Sequence, residues 1–320
     1  MKDVVVMETN CRNDELLRHA DLLVRAKAFV VEWQLDGFLD EWLRGVRGLN
    51  FVFLQHGVTG CWLTPEHQAT FRRTYNYCNV FSRREQKLIE GDDWNAEHSR
   101  FFVAGLPRFD MLDGNWRKAQ NPERHVFVMF TWRQGLNVGG KRLMSSAYWQ
   151  GLAGLLSERN LKRLARIGVK LVVAPHHRLS QFVPNLDFGP DVKVVSQQDI
   201  AYWIRHADAM VTDFSSASFD FMFQNKPTIY WIPDKDDPLI DHSAHQDGGK
   251  VDSALALRKN FYNTVDTLEE VLKLIEYYNG RDFELEPDKR AIASTYFDVR
   301  ENISQMVYEQ LEKISGEEEP

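Results

Sequence analysis

The sequence predicts an α/β protein in which parallel strands, each followed by a helix, are gathered into two domains with helices on both faces of their sheets. Three observations carry that expectation. Short apolar runs of strand length alternate with segments of helical periodicity. The alternation stops at a polar stretch, residues 113–124, and then restarts. Polar clusters recur where the apolar runs end, the position at which open parallel sheets gather ligands. The domains drawn from this pattern are residues 1–118, residues 119–290, and a C-terminal helical segment, residues 291–320, packing back across them.

In chain order, Val4 to Met7 reads as a short buried strand. Asp14 to Ala28 reads as a helix with Leu16, Leu17, Ala20, Leu23 and Val24 on one side. Ala28 to Trp33 is a strand, Gly37 to Val46 a helix, and Asn50 to Leu54 a third apolar strand ending at Gln55-His56-Gly57. Gly57 lets the backbone turn sharply there. His56 lies where a ligand would, although a lone loop histidine is more often a cap or a core residue. Tyr77 to Phe81 is a strand, Arg83 to Glu90 a charged helix, and Phe101 to Ala104 a strand entering Gly105-Leu106-Pro107-Arg108-Phe109-Asp110. Arg108 either pairs with Asp110 or reaches an anionic ligand.

The second half repeats the scheme. His125 to Phe130 is a strand followed by Thr131-Trp132-Arg133, residues 141–167 are largely helical, and Val169 to Ala174 is a strand ending at Pro175-His176-His177. Val192 to Val195 is a short strand and Asp199 to His206 a helix. Then comes the most informative stretch, residues 211–234. A strand ends at Val211, Thr212-Asp213-Phe214-Ser215-Ser216 turns, a helix carries Phe219, Phe221 and Phe223, and Lys226-Pro227 breaks it before the strand Thr228 to Ile232. The first turn of a helix has unpaired N–H groups and the positive end of the helix dipole, so such a turn can hold phosphate. Ser215 or Ser216 is also a natural N-cap, and an ordinary capped turn is the competing reading. Residues 267–278 form an amphipathic helix, and 288–314 are mostly helical before an acidic tail.

Composition bounds the function. The chain has 320 residues, 43% hydrophobic and 27% charged, as a globular protein has. A net charge of −7 disfavours a nucleic-acid partner. Cys11, Cys61 and Cys78 lack metal-type spacing and read as reduced thiols of a cytoplasmic protein. No apolar run approaches the roughly 20 residues that span a bilayer, and the N-terminus has no signal layout, so any membrane contact is peripheral.

Taken together, QHG at 55–57, GLPRFD at 105–110, FTWR at 130–133, PHH at 175–177, TDFSSASFDF at 212–221 and NKPTIYWIPD at 225–234 resemble the CDP-glycerol glycerophosphotransferases of teichoic-acid and capsule synthesis. The resemblance implies a GT-B-like architecture: two Rossmann-like domains with parallel sheets facing an inter-domain cleft. It implies metal-independent transfer of a polyol phosphate from CDP-glycerol or CDP-ribitol to a lipid-linked or oligosaccharide acceptor. No cofactor is implied. Carried over by position, His56 is the general base, and His176 acts on the donor with the Ser215/Ser216 turn. Arg133, His177, Asp213 and Asp220 also fall on the donor side, Asp213 and Asp220 ordering the turn or touching the donor. Apart from the resemblance, Gly57 and Arg108 at strand ends, and His242 or His245 in the loop that leaves the strand next to the serine turn, are further candidates to line a cleft. The N-terminal domain is the acceptor side and arrives short, as in a trimmed domain of a larger polymerase working at the inner face of the membrane.

Three competing assignments follow from the same residues. A nucleotide-sugar glycosyltransferase or a sugar 2-epimerase would also put a helix start on a diphosphate, and a non-catalytic binding domain of a capsule polymerase would keep the fold alone. Asp234, Asp236 and Asp237 read as a solvated acidic loop rather than a metal site, and His242 and His245 as loop residues.

Overall fold

The structure, a computed structural model, describes residues 4–6, 28–31, 50–54, 76–90, 100–112, 123–131, 133, 136, 140–176, 192–213, 215–237 and 263–316. It divides into two compact units, Met1–Asp110 with Thr295–Pro320, and Met111–Ser294.

The first unit holds a five-stranded parallel sheet in simple sequential order, β1 (Val4–Val6), β2 (Ala28–Val31), β3 (Asn50–Phe53), β4 (Tyr77–Val80) and β5 (Arg100–Val103). The strands β3 and β4 are buried throughout, as continuous apolar runs in a covered parallel sheet must be. Helix α1 (Arg83–Glu90) starts where the Ser82 hydroxyl accepts from the Glu85 N–H and the Glu85 carboxylate accepts from the Phe81 N–H, a near relative of the capping box. The returning tail completes this unit. Tyr296 and Phe297 are buried, with the Phe297 ring 5.5 Å from Phe81 and 5.7 Å from Phe109. The last described helix of the chain lays Val307, Leu311 and Ile314 on Val52, Leu54, Tyr77 and Ala104. The carboxylate of Asp110 accepts from the first N–H groups of that helix, Ile303 at 3.0 Å and Ser304 at 2.6 Å. Gly105 has φ +86°, and a Cβ there would press on Ile303 at 3.2 Å.

The second unit holds a six-stranded parallel sheet, β6 (Arg124–Met129), β7 (Val169–Val173), β8 (Val192–Val194), β9 (Ala209–Thr212), β10 (Thr228–Trp231) and β11 (Asn263–Val265), in the spatial order β11-β10-β9-β6-β7-β8. Counted from β6 this is the 3-2-1-4-5-6 order of doubly wound dinucleotide folds, and the winding direction reverses between β6 and β9. Its helices are α2 (Gly140–Ser145), α3 (Ala147–Leu155), α4 (Glu158–Ala165), α5 (Ile200–His206), α6 (Ala217–Phe223), α7 (Leu268–Asn279) and α8 (Pro287–Ser294); the tail helix of the first unit is α9 (Ile303–Gly316).

Alternation along β6 shows how the second unit is layered. Val126 and Val128 join one face, with Leu152, Leu161, Ile275 and Tyr278 from α3, α4 and α7. Phe127 joins the other, with Trp203 of α5 and Phe221 of α6, whose ring stacks on it at 6.3 Å. Pro227 cannot continue α6, and Asn225 turns the chain at φ +54°. Lys226 is fully buried because its Nζ donates to the last carbonyls of α5, Arg205 at 2.6 Å and Ile204 at 3.2 Å.

Most expected elements of these regions are present with small shifts at their ends. The strand β11 is new. Residues 288–314 are two helices separated by the buried Tyr296–Phe297 segment, not one. Of the helix expected at 14–28 only Ala28 is described, and it begins β2; the helix expected at 37–46 lies outside the described residues. No helix among the described residues is long and apolar enough to cross a membrane.

Candidate functional site

Four neighbouring strands of the second unit, β10, β9, β6 and β7, deliver polar residues at their C-terminal ends. Asp234 follows β10, Asp213 and Ser215 follow β9, Thr131 and Arg133 follow β6, and His176 follows β7. The middle two strands flank the point where winding reverses, so the serine turn stands at the topological switch point of the sheet.

The turn is built from the strand ends outward. The Thr212 hydroxyl donates to the Met129 carbonyl at 2.6 Å, holding β9 to β6 at the last paired residues. One residue on, the carboxylate of Asp213 reaches across to Thr131. It accepts from the Thr131 N–H at 2.9 and 3.1 Å and from the Thr131 hydroxyl at 3.1 Å. Ser215 then opens the helix: its Oγ accepts from the Ala217 N–H at 3.3 Å, and its carbonyl accepts from the Ser218 hydroxyl at 2.7 Å. Ser216 occupies the cap position without a side-chain capping bond and is half-buried. Of the two serines, Ser215 therefore does the local capping.

Beneath the turn lies a buried ionic cluster. Arg133 is 2% exposed and Asp234 is fully buried. The guanidinium grips Asp234 side-on, Nε to Oδ2 at 2.6 Å and Nη2 to Oδ1 at 2.9 Å. Its third nitrogen, Nη1, meets Asp213 Oδ2 at 2.6 Å, the Thr131 hydroxyl at 2.9 Å and the Thr131 carbonyl at 3.1 Å. Tyr148 of α3 lies against the guanidinium, 5.0 Å from ring centre to Cζ. Burial works against the Arg133 charge, but Asp213 and Asp234 outweigh it and hold the pKa above its ordinary value. Burial, with Asp213 beside it, pushes the Tyr148 phenol up, so it stays neutral. The loop that carries Asp234 fits against α3 only because residue 151 is glycine; a Cβ there would sit 2.3 Å from Pro233 Cβ.

The expected site residues divide three ways. Arg133, Asp213 and Ser215 are brought together, with Ser216 adjacent, and His176 is half-buried at the same end of the sheet. Asp220 is buried on α6. Arg108 belongs to the first unit, half-buried with its guanidinium 5.3 Å from the Phe109 ring centre. His56, Gly57, His177, His242 and His245 lie outside the described residues. One expectation is overturned: Asp234 is no solvated loop carboxylate but the buried partner of Arg133. Asp237, beside it, accepts from the Ala147 N–H at 3.3 Å at the start of α3. Among the described residues, no group of three or more His, Cys, Asp or Glu is placed to hold a metal ion.

Comparison with known proteins places the chain. The family model described as CDP-glycerol:poly(glycerophosphate) glycerophosphotransferase matches residues 2–311. The minor teichoic acid biosynthesis protein GgaB of Bacillus subtilis (strain 168) is 23% identical over 221 residues. That match takes in 63% of this chain and 23% of GgaB, so the chain spans about a quarter of that relative's length. Among solved structures, the wall teichoic acid polymerase TagF superposes with a TM-score of 0.67 at 14% identity, over 93% of this chain and 75% of that one. A UDP-GlcNAc 2-epimerase from Neisseria meningitidis, solved bound to UDP-GlcNAc, gives 0.56 at 11% identity over 96% and 84%. At these identities the superpositions show the fold, and the family model shows the family: the chain belongs to the CDP-glycerol:poly(glycerophosphate) glycerophosphotransferases.

Proposed function

We propose that this member of the glycerophosphotransferase family moves glycerol phosphate, or a related polyol phosphate, from a CDP-linked donor to an acceptor hydroxyl during teichoic-acid or capsule synthesis. The observation that supports it most is the serine turn at the switch point of a doubly wound sheet, in a chain matched by the family over residues 2–311. In the step envisaged, the acceptor oxygen attacks the phosphorus that bears glycerol. The new O–P bond forms as the bond from that phosphorus to the bridging oxygen breaks, and CMP leaves. His56 takes the acceptor's proton, a task suited to a group that titrates near neutrality. Ser215, Ser216 and His176, with His177 alongside, hold the diphosphate. Arg133 and Asp213 are assigned to support the turn, because their side chains are sealed beneath it; Asp220 is assigned the same role from its burial on α6.

Phosphoryl transfer asks for positioning and charge stabilisation, which hydroxyls, N–H groups and imidazoles supply. Neither metal nor cofactor enters the proposal. The finer parts of it are a GT-B-like pair of domains with the donor between them, Gly57, Arg108, His242 and His245 at the rim, and a lipid-linked or oligosaccharide acceptor met at the inner membrane face. The proposal also includes membership of a larger multidomain polymerase, a reading with which the 23% of GgaB that is matched is consistent.

Thermal melting with a nucleotide panel tests the donor. CDP-glycerol or CDP-ribitol should raise the melting temperature more than UDP-sugars do; a rise with UDP-sugars alone would point instead to a nucleotide-sugar enzyme. His56→Ala should abolish transfer and leave donor affinity nearly unchanged, since a base works on the acceptor. A collapse of donor affinity in that variant would refute the assignment of roles.

A further inference from the structure

We propose that Asp234, acting through Arg133 and Thr131, is the positioning residue that fixes the serine turn against the end of β6 and so sets how tightly the donor's phosphates are held. This rests on the donor-binding role proposed for the turn. The carrying observation is geometric. A guanidinium is planar, so two bonds to one carboxylate set its plane as well as its place. With Nε and Nη2 both on Asp234, at 2.6 and 2.9 Å, the direction of Nη1 is no longer free. Nη1 is the atom that meets Asp213 and both oxygens of Thr131.

Asp213 in turn stands two residues before Ser215, and Thr131 holds it from the other strand through N–H and hydroxyl. The loop after β10 thus controls the spacing of the two strand ends that border the switch point. The cluster is closed in by Tyr148 and by the tight passage of the 233–234 segment over Gly151. Arg133, Asp213 and Asp234 are buried, and Asp213 leads directly into the turn. Their effect is therefore on where Ser215 and Ser216 sit, and closely packed interiors pass such displacements on rather than absorb them.

The strand pair offers a matched control at its other end. There Asp208, also buried, accepts from the His125 N–H at 2.8 Å and ties the start of β9 to the start of β6. Calorimetric titration of the full chain with CDP-glycerol, with melting temperatures beside it, separates positioning from bulk stability. Displacing a binding group by an ångström can cost up to about 100-fold in function, so Asp234→Asn should weaken donor binding by at least about tenfold. Thr131→Val should weaken it several-fold, and Thr131→Ser, which restores the hydroxyl, should recover it. Asp208→Asn should lower the melting temperature and keep the wild-type affinity. Equal affinity losses in Asp208→Asn and Asp234→Asn, or an unchanged affinity in Asp234→Asn, would overturn the proposal. Should Asp234→Asn fail to fold, the Thr131 pair decides: no loss in Thr131→Val, or no recovery in Thr131→Ser, rejects it. A wild-type chain that ignores CDP-glycerol would remove the donor role of the turn and this inference with it, whereas binding that all variants share removes the positioning role alone.

Discussion

The two ends of the β6–β9 strand pair are held by the same device in different surroundings. At the lower end, where both strands begin, Asp208 accepts from the His125 N–H, and Arg124, which it also meets, has 30% of its side chain exposed and pairs as well with the largely exposed Asp282. At the upper end, where both strands finish, Asp213 accepts from the Thr131 N–H, and its cation, Arg133, has 1% of its side chain exposed and is gripped by a second buried carboxylate. A salt bridge whose cation is partly exposed tolerates more movement and contributes less. A buried multi-point cluster is costly to assemble and fixes one arrangement. The difference teaches that the buried, multiply bonded cluster stands at the end of the sheet where open α/β sheets in general gather ligands.

Removing the cation at each end should break that comparison open. Arg133→Ala leaves two carboxylates buried without their counter-charge and should destabilise the second unit by about 3–5 kcal/mol, read by denaturant titration. Arg124→Ala, at the exposed end, should cost below about 1 kcal/mol. Similar losses in the two variants would show that burial does not distinguish them.

Lys226 sharpens the point, because it serves the end of α5, on the lower side of the sheet, yet is fully buried. If burial rather than location decides, Lys226→Met should cost about 1–3 kcal/mol, since two carbonyls lose a charged donor. A loss as small as that of Arg124→Ala would put the emphasis on location instead.

The smallest effect concerns pH. His125, at the lower end, is buried beside Trp203, and burial lowers its pKa below 6.5 despite the nearby Asp208 and Glu123. Its neutral form is therefore favoured by folding. The stability it contributes is complete above about pH 6.5 and declines as pH falls through the depressed folded value, because the unfolded chain takes up the proton first. The melting temperature of wild type, taken relative to that of His125→Phe, should be lower at pH 5 than at pH 7.

Much of this was legible in the residues. The alternation of apolar runs and helical periods located most described strands, and TDFSS announced itself as a turn at a strand end. What escaped had physical causes. The strand β11 is only Asn-Thr-Val, too short and too polar to show a pattern. Asp234 sits in Asp-Lys-Asp-Asp, which reads as solvated surface, and its partner Arg133 is 101 positions away. Only the strand order, which sets β6 and β10 on either side of β9, brings the two within bonding range. Lys226 read as a helix breaker with its proline, since a neighbour's carbonyls are invisible along the chain. Asp110 read as a partner for Arg108, and instead receives the start of α9.

The tail that carries α9 has a consequence for assembly order. Val307, Leu311 and Ile314 form part of the apolar layer over β3 and β4, strands made long before them in synthesis. The first unit cannot finish its core until the ribosome has delivered the second unit, whose residues are contiguous. In a growing chain the later-coded half has all its parts in hand first, and the earlier-coded half waits.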